Sequence, residues 1–306
     1  NNLTSKEFEN RNLTVKSEEL EQLSVQNVQR LEGEAEQPLN PPSMPSNLLQ
    51  EKAELMASGK HKGNTKELAN YKAKLPRHLS QRQIEVGVGL LLSDASSVGK
   101  ANSNGKAFRL KMQQSDEHKE LLEFLVETFE TYVLEGVSEP KSRAIGSIYR
   151  EAQTIQHEAF GDLVPLFSHK QQQKPSAVVY KEFTPKLADY LTPLCIGVWF
   201  SGDGGRRDYG ENQGKAIQLH TQGFDITTQL SLAQALTSRY GWEVVVKPSH
   251  QNKKTGQQFY LLQVEASSFD SFYQTVEPFV LNVFKKRFPS PRKEGSRFRS
   301  NPNLEQ

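Results

Sequence analysis

Two apolar runs stand out from the pattern of the chain. Ile84 to Ala95 reads IEVGVGLLLSDA, and Leu191 to Gly202 reads LTPLCIGVWFSG; Glu85 and Asp94 are the only charged residues within them. Each run meets a lone aspartate at its C-terminal end, Asp94 in the first and Asp203 after the second. Runs of this length suit buried helices and are too short to cross a membrane. For the second, Thr192 is placed to cap the N-terminus with Pro193 at the first helical position, and Gly204 and Gly205 are expected to end it in a positive-φ conformation. Small residues recur four apart, at Gly89 and Ser93 and again at Gly197 and Ser201. Packing by these two flat faces would bring Asp94 and Asp203 to one rim, and converging carboxylates suit a hard divalent cation.

The same order of elements succeeds each run. Ser96 to Lys106 has a turn composition, and Ala107 to Gln113 alternates, with Phe108, Leu110 and Met112 on one face and Arg109, Lys111 and Gln113 on the other. Ser115 is positioned to cap a helix over Asp116 to Val133, with a stripe of Leu121, Leu122, Leu125, Phe129 and Tyr132. Short strands over 143–155 and a short helix over 157–167 close the first half. In the second half Lys215 to Gln222 alternates again, with Gln218, His220 and Gln222 outward. Asp225 caps a helix that Gly241 ends; 243–247 and 259–265 form a hairpin around the basic loop at Lys253 and Lys254; a helical stretch from Phe269 ends the repeat. The predicted unit is helix, two strands, helix, two strands, helix, used twice, with QQQKPS inside a linker over Lys170–Lys181.

Composition changes the picture at the ends. Residues 1–75 are polar, and 1–50 hold eight glutamates against Lys6, Arg11, Lys16 and Arg30, although the whole chain carries +2. The expectation is a disordered acidic leader over 1–75, stopped from extended helix formation by Pro38, Pro41, Pro42 and Pro45. The chain begins without Met, which suggests processing or an in-frame fusion remnant. A basic remainder behind an acidic leader is the asymmetry of a nucleic-acid binder. Seven Lys or Arg between Lys285 and Arg299 extend into a basic flexible tail over 291–306. Cys195 is the sole cysteine, which excludes an intrachain disulfide framework, and its apolar surroundings make it a core residue. There is no run of 18 apolar residues, so no membrane helix is expected.

GVGLLLSDA and IGVWFSGDG resemble the two signature helices of LAGLIDADG homing endonucleases, with the aspartate at the motif's eighth position in both. AIGSIYREAQTIQHEAF, YLTP, DGG and KAIQLHTQGF are similar in order and spacing to the single-chain, two-motif subgroup, and the likeness runs from about Leu79 to Pro289. The first motif departs from the pattern by ending in Ala95 where glycine is usual.

This resemblance implies an α+β fold of tandem pseudo-twofold αββαββα repeats, 76–170 and 171–290, whose antiparallel sheets form a saddle on DNA. It implies a monomeric endonuclease that cuts both strands of a long asymmetric site across the minor groove, leaving short 3′ overhangs, so that a mobile intron is copied in. Mg²⁺ or Mn²⁺ would be held by Asp94 and Asp203, with carbonyl oxygens at Ser93 and Gly202 as further ligands. Lys181 and Arg287 or Lys286 look like the family's basic residues beside the scissile phosphates. Outward strand residues would read bases, since Arg and Lys suit guanine and Gln suits adenine. The candidates are Arg109, Lys111, Gln113, Arg150, Gln153, Gln218, His220, Gln222, Lys247 and Gln263, while Arg206, Arg207, Lys253 and Lys254 suit phosphate. Family neighbours place such chains in a mitochondrion or chloroplast. The alternative on the same fold is a non-catalytic partner of intron RNA, a maturase or organellar RNA-processing factor; a decayed, inactive frame is a third reading.

Overall fold

The computed structural model describes residues 46–99, 108–143, 146–170, 180–207, 215–253, 256 and 258–289. Its helices are α1 (Ser46–Ala57), α2 (Lys66–Lys74), α3 (Gln81–Leu92), α4 (Lys119–Thr128), α5 (Pro193–Asp203), α6 (Ile226–Tyr240) and α7 (Phe269–Val276). The strands of the first half are β1 (Ser96–Gly99), β2 (Phe108–Ser115), β3 (Lys141–Ser142) and β4 (Ile148–Gln153), hydrogen-bonded in the order β1-β2-β4-β3. A two-stranded hairpin, β5 (Phe167–Lys170) and β6 (Tyr180–Phe183), separates them from β7 (Gly204–Arg206), β8 (Ile217–Leu219), β9 (Val244–Gln251) and β10 (Gln258–Val264), ordered β7-β8-β10-β9. Neighbouring strands run antiparallel throughout. The expected repeat therefore appears twice, α3β1β2α4β3β4 and α5β7β8α6β9β10α7. The first closes on 3-10 turns over Glu158–Leu166, where Pro165 removes an amide that an α-helix would need.

The two apolar runs form the centre. Ser80 and Gln83 make a reciprocal capping box on α3, and the Thr192 hydroxyl accepts from the Cys195 amide at 3.3 Å at the start of α5. Leu194 to Ser201 are all buried, so α5 has no wet side, as a helix that is apolar all round requires. Gly89 brings α3 against it: a Cβ at Gly89 would stand 2.5 Å from the Cys195 carbonyl and 2.9 Å from the Val198 Cβ. One turn on, a Cβ at Gly202 would stand 2.5 Å from both side-chain atoms of Ser93. The flat face expected of α5 points elsewhere. Gly197 lies against Phe279, and the Ser201 hydroxyl accepts from the Leu281 amide at 3.2 Å. Only α3 uses its small face for the helix pair.

Three other expectations are corrected. Gly204 ends α5 at φ −84°, and neither Gly204 nor Gly205 has positive φ; glycine is needed because a Cβ at 204 would overlap the Phe200 ring. Ser115 precedes 3-10 turns over Asp116–His118 and gives them no side-chain cap, so α4 starts later than expected. The leader ends sooner than residue 75. Leu48, Leu55, Leu68, Tyr71 and Leu75 are buried with the core, and the Tyr71 hydroxyl donates to the Thr131 carbonyl at 2.7 Å. Thus α1 and α2 are docked on the first repeat. Residues 1–45, 171–179 and 291–306, which hold the rest of the expected leader, most of the linker and the tail, lie outside the described residues.

Candidate active site and nucleic-acid interface

Because Ser93 and Gly202 touch, the residues next in sequence, Asp94 and Asp203, stand at one rim between the two sheets. Asp94 is exposed, and its carboxylate accepts a hydrogen bond from the Gln114 side chain. Asp203 is half-buried, and its backbone carbonyl accepts from the His220 amide at 2.9 Å, tying the end of α5 to the end of β8.

A cation closes the second helix. One terminal nitrogen of Arg287 lies 2.8 Å from the Ser201 carbonyl, 2.9 Å from that of Gly202 and 3.4 Å from those of Phe200 and Gly204. The Ser201 and Gly202 carbonyls lie in the last turn, where a helix runs out of amides, while that of Phe200 also accepts from the Gly204 amide; a positive charge there complements the helix dipole. The guanidinium also sits over the Phe284 ring, 4.5 Å from its centroid. The pKa of His220 lies below the ordinary imidazole value, because the protein packed around the ring disfavours its charged form and Arg287 repels it. His118, packed 5.1 Å from Phe284, is shifted the same way by burial, Arg287 and Lys286. Both rings are therefore mainly neutral at pH 7.

The expected site residues divide accordingly. Asp94, Asp203, Ser93, Gly202 and Arg287 are brought together. The Gly202 carbonyl, expected to face a metal ion, already accepts from Arg287. The Ser93 hydroxyl turns back to the Gly89 and Leu90 carbonyls at 3.2 and 3.1 Å. The backbone of Lys181 lies on β6 opposite His169. Among the described residues no group of three or more His, Cys, Asp or Glu gathers as a metal site, so two carboxylates are the acidic donors the rim offers.

Strand parity sorts the candidate base readers. On the first sheet Lys111 pairs with Gln153 and Gln113 with Glu151, so with Arg109 they share the face away from buried Leu110 and Met112. Arg150 does not. It pairs with Gln114 on the side of buried Ala152, and its guanidinium bonds Asp116 and the Ser138 carbonyl. Arg150 and Gln153 are three residues apart and cannot share a face in one strand. On the second sheet Gln218 pairs with Gln263, but Gln263 is only 1% exposed and donates to Glu265 at 2.9 Å. Arg150 and Gln263 are therefore removed from the base-reading set. Lys247 pairs with Glu265 at 3.1 Å, and Gln222 bonds Ser249 at 3.1 Å. Arg206 shares the pleat face of buried Ile217, whereas Arg207, His220, Lys253 and Lys286 reach solvent. Lys254 lies outside the described residues.

Two residues escaped the sequence reading. Gln114 follows outward Gln113 on β2, and its inward parity was the signal that it meets the helix end. Glu151 lies amid the outward cations, receiving bonds from Lys141, Lys111 and Gln113, which pull its pKa down to about 2. It orients Lys111 and Gln113, and a carboxylate on this face suits the amino group of cytosine.

Residues 84–272 match the model of the LAGLIDADG DNA endonuclease family. A protein of Wickerhamomyces canadensis described as a probable intron-encoded endonuclease 1 is 28% identical over 228 residues, covering 72% of this chain and 90% of its own. A probable intron-encoded DNA endonuclease 3 of Mycosarcoma maydis is 21% identical over 137 residues, 44% of this chain and 90% of its own. Among solved structures, the homing endonuclease I-WcaI bound to its DNA recognition sequence superposes with a TM-score of 0.65 at 25% identity, across 79% of this chain and 99% of that one.

Proposed function

The chain belongs to the LAGLIDADG DNA endonuclease family, and on that premise we propose that it cuts both strands of one long, asymmetric duplex site at the rim formed by Asp94 and Asp203. The observation that carries this reading is the seating of Gly202 on Ser93, which sets one carboxylate from each repeat at a common edge. Both carboxylates come from one chain, so the monomer is the working unit.

The donor set at this edge fits a hard divalent ion such as Mg²⁺ or Mn²⁺, with Asp94 and Asp203 as holders, since such ions take oxygen ligands. When bound, the ion supplies an activated water and neutralises charge at phosphorus. The protein's own part is to fix the geometry. Gln114 holds the Asp94 carboxylate, the His220 amide holds the Asp203 backbone, and Arg287 locks the last turn of α5. Arg287 donates to the Gly202 carbonyl, so its role is to position Asp203 and to offer positive charge beside the phosphate, and the second lone pair of that oxygen is left for the ion. Outward Arg109, Lys111, Gln113, Gln153 and Gln218 are the base readers; Arg207, Lys253 and Lys286 hold phosphate. The intron-encoded relatives support an organellar intron as the source, in a mitochondrion or chloroplast.

Purified protein incubated with duplexes spanning intron-insertion sites should yield double-strand cuts with Mg²⁺ and none with a chelator. Asp94→Asn and Asp203→Asn should each abolish cutting while retaining duplex binding, because each removes an anion near phosphate. If both variants cut at the wild-type rate, the active site lies elsewhere. If structured intron RNA displaces every duplex tested and nothing is cut, the RNA-binding reading takes its place.

A further inference from the structure

An open cleft of about 390 Å³ lies between the turn joining α1 to α2 and the outward face of the first sheet. Its walls carry Lys62 and Lys72 from the helical extension and Arg109 and Lys141 from the strands, against Glu135 and Glu151. Of the acids, Glu151 is already matched, held by Lys141 and Lys111; Glu135 stands 3.4 Å from His61 with most of its side chain in solvent. Among the described residues Lys62, Lys72 and Arg109 have no carboxylate partner, and the Nε of Arg109 and Nδ1 of His61 are buried without a hydrogen bond. Burial lowers the pKa of Lys72, so an anion beside it would relieve the unfavourable desolvation of its charge. Three unmatched cations converge on a polar cleft, and nothing the protein itself supplies there satisfies them.

We propose that this cleft holds a backbone phosphate of duplex DNA, and that α1 and α2 thereby lengthen the DNA track outward from the first sheet. This rests on the endonuclease reading and goes beyond it, since both helices precede the residues that match the family model. The position fits. Arg109 lies on β2 five residues before Gln114, which touches Asp94. At roughly 3.3 Å per residue that is about 17 Å along the strand, or about five base-pair steps at 3.4 Å. Arg109 faces both the cleft and the outward sheet surface, so a strand of DNA leaving the sheet meets the cleft next.

The test uses the full chain and a labelled duplex of about 30 base pairs of arbitrary sequence, with affinity measured across a salt series by fluorescence anisotropy. The slope of log affinity against log salt should flatten by about 0.9 for each phosphate no longer neutralised, so Lys62→Gln and the double variant Lys62→Gln with Lys72→Gln should both bind less steeply than wild type. Lys66→Gln, the same charge change on an exposed part of α2 outside the cleft, should leave the slope unchanged. Lys62 is exposed, so its single variant stands as a test even if the double variant melts early. Wild-type slopes in both cleft variants, or an equal flattening in Lys66→Gln, overturn the cleft and leave the endonuclease reading standing. A wild-type chain that ignores the duplex overturns both.

Discussion

Gly89→Ala is the sharpest perturbation of the helix pair that sets the rim. The added Cβ would stand 2.5 Å from the Cys195 carbonyl oxygen, 2.9 Å from the Val198 Cβ and 3.1 Å from a Val198 methyl. Two of these are backbone or branch-point atoms of a helix buried on all sides, so relief requires α3 and α5 to separate. Overpacking of this kind costs about 1–3 kcal/mol, and rigid neighbours place it near the upper end. Replacing glycine by alanine in mid-helix returns about 1 kcal/mol. The net loss is about 2 kcal/mol, or a melting temperature lower by roughly 4–8 °C for a domain of this size. Gly87→Ala, two residues earlier, is the control. Its Cβ meets only the ends of the Leu163 side chain, at 3.0 and 3.2 Å, and these can rotate aside. The control should melt at or slightly above the wild-type temperature and keep its cutting activity, whereas Gly89→Ala should lose both stability and cutting, because displaced helices displace Asp94 from Asp203. Thermal melts with cleavage assays on the three proteins decide it. A Gly89→Ala protein as stable and active as Gly87→Ala would refute the idea that close helix approach organises the rim.

Deleting residues 1–75 should lower the melting temperature well below that of a chain lacking only 1–45, since the longer cut removes Leu48, Leu55, Leu68, Tyr71 and Leu75; Leu68→Ala alone should cost about 2–5 kcal/mol, and equal melts for the two truncations would show that α1 and α2 do not dock. The buried imidazole of His157 accepts from the Ala159 amide at 3.2 Å and lies 3.1 Å from the Lys72 carbonyl, a neutral arrangement whose pKa burial keeps below the ordinary value. The unfolded chain then binds the extra proton, so stability is full above about pH 6.5 and falls as the pH drops below it. His118 and His220 carry the same sign, while Glu151, with its pKa near 2, adds stability that is lost only below about pH 4.5. Urea melts at pH 7, 6 and 5 should show falling stability, less so in His157→Gln; a flat or rising trend in the wild type would contradict the neutral, buried ring.

The repeat and its signature helices were legible because apolar runs and strand alternation write themselves into the chain. Thr192, Asp225 and Gly241 act at the helix ends as their residue types suggest. Three features that escaped had no local signal. The burial of Tyr71 depends on Thr131, 60 residues away, so a polar segment with few apolar residues looked like a leader. Gln263 reads as an outward strand residue, and only its neighbours bury it. Arg287 looked like a free cation for phosphate because its partners are carbonyls 83–87 residues away. Arg150 was a different kind of miss, since parity with Gln153 already forbade it.

The all-round burial of α5 matters during synthesis on the ribosome. One wall, α3, is made well before it. The other is not: the amide that bonds Ser201 belongs to Leu281, 80 residues downstream, and Phe284 and Phe288 come later still. At 5–20 residues per second, α5 waits about 4–16 s for its second wall. Nascent chains stalled with residue 203 clear of the exit tunnel but residue 281 not yet made should therefore bind a hydrophobic-segment chaperone, and chains stalled with residue 288 clear of the tunnel should not; equal capture of both would contradict this. The helix that carries Asp203 is thus, for some seconds of each chain's life, its most adhesive surface.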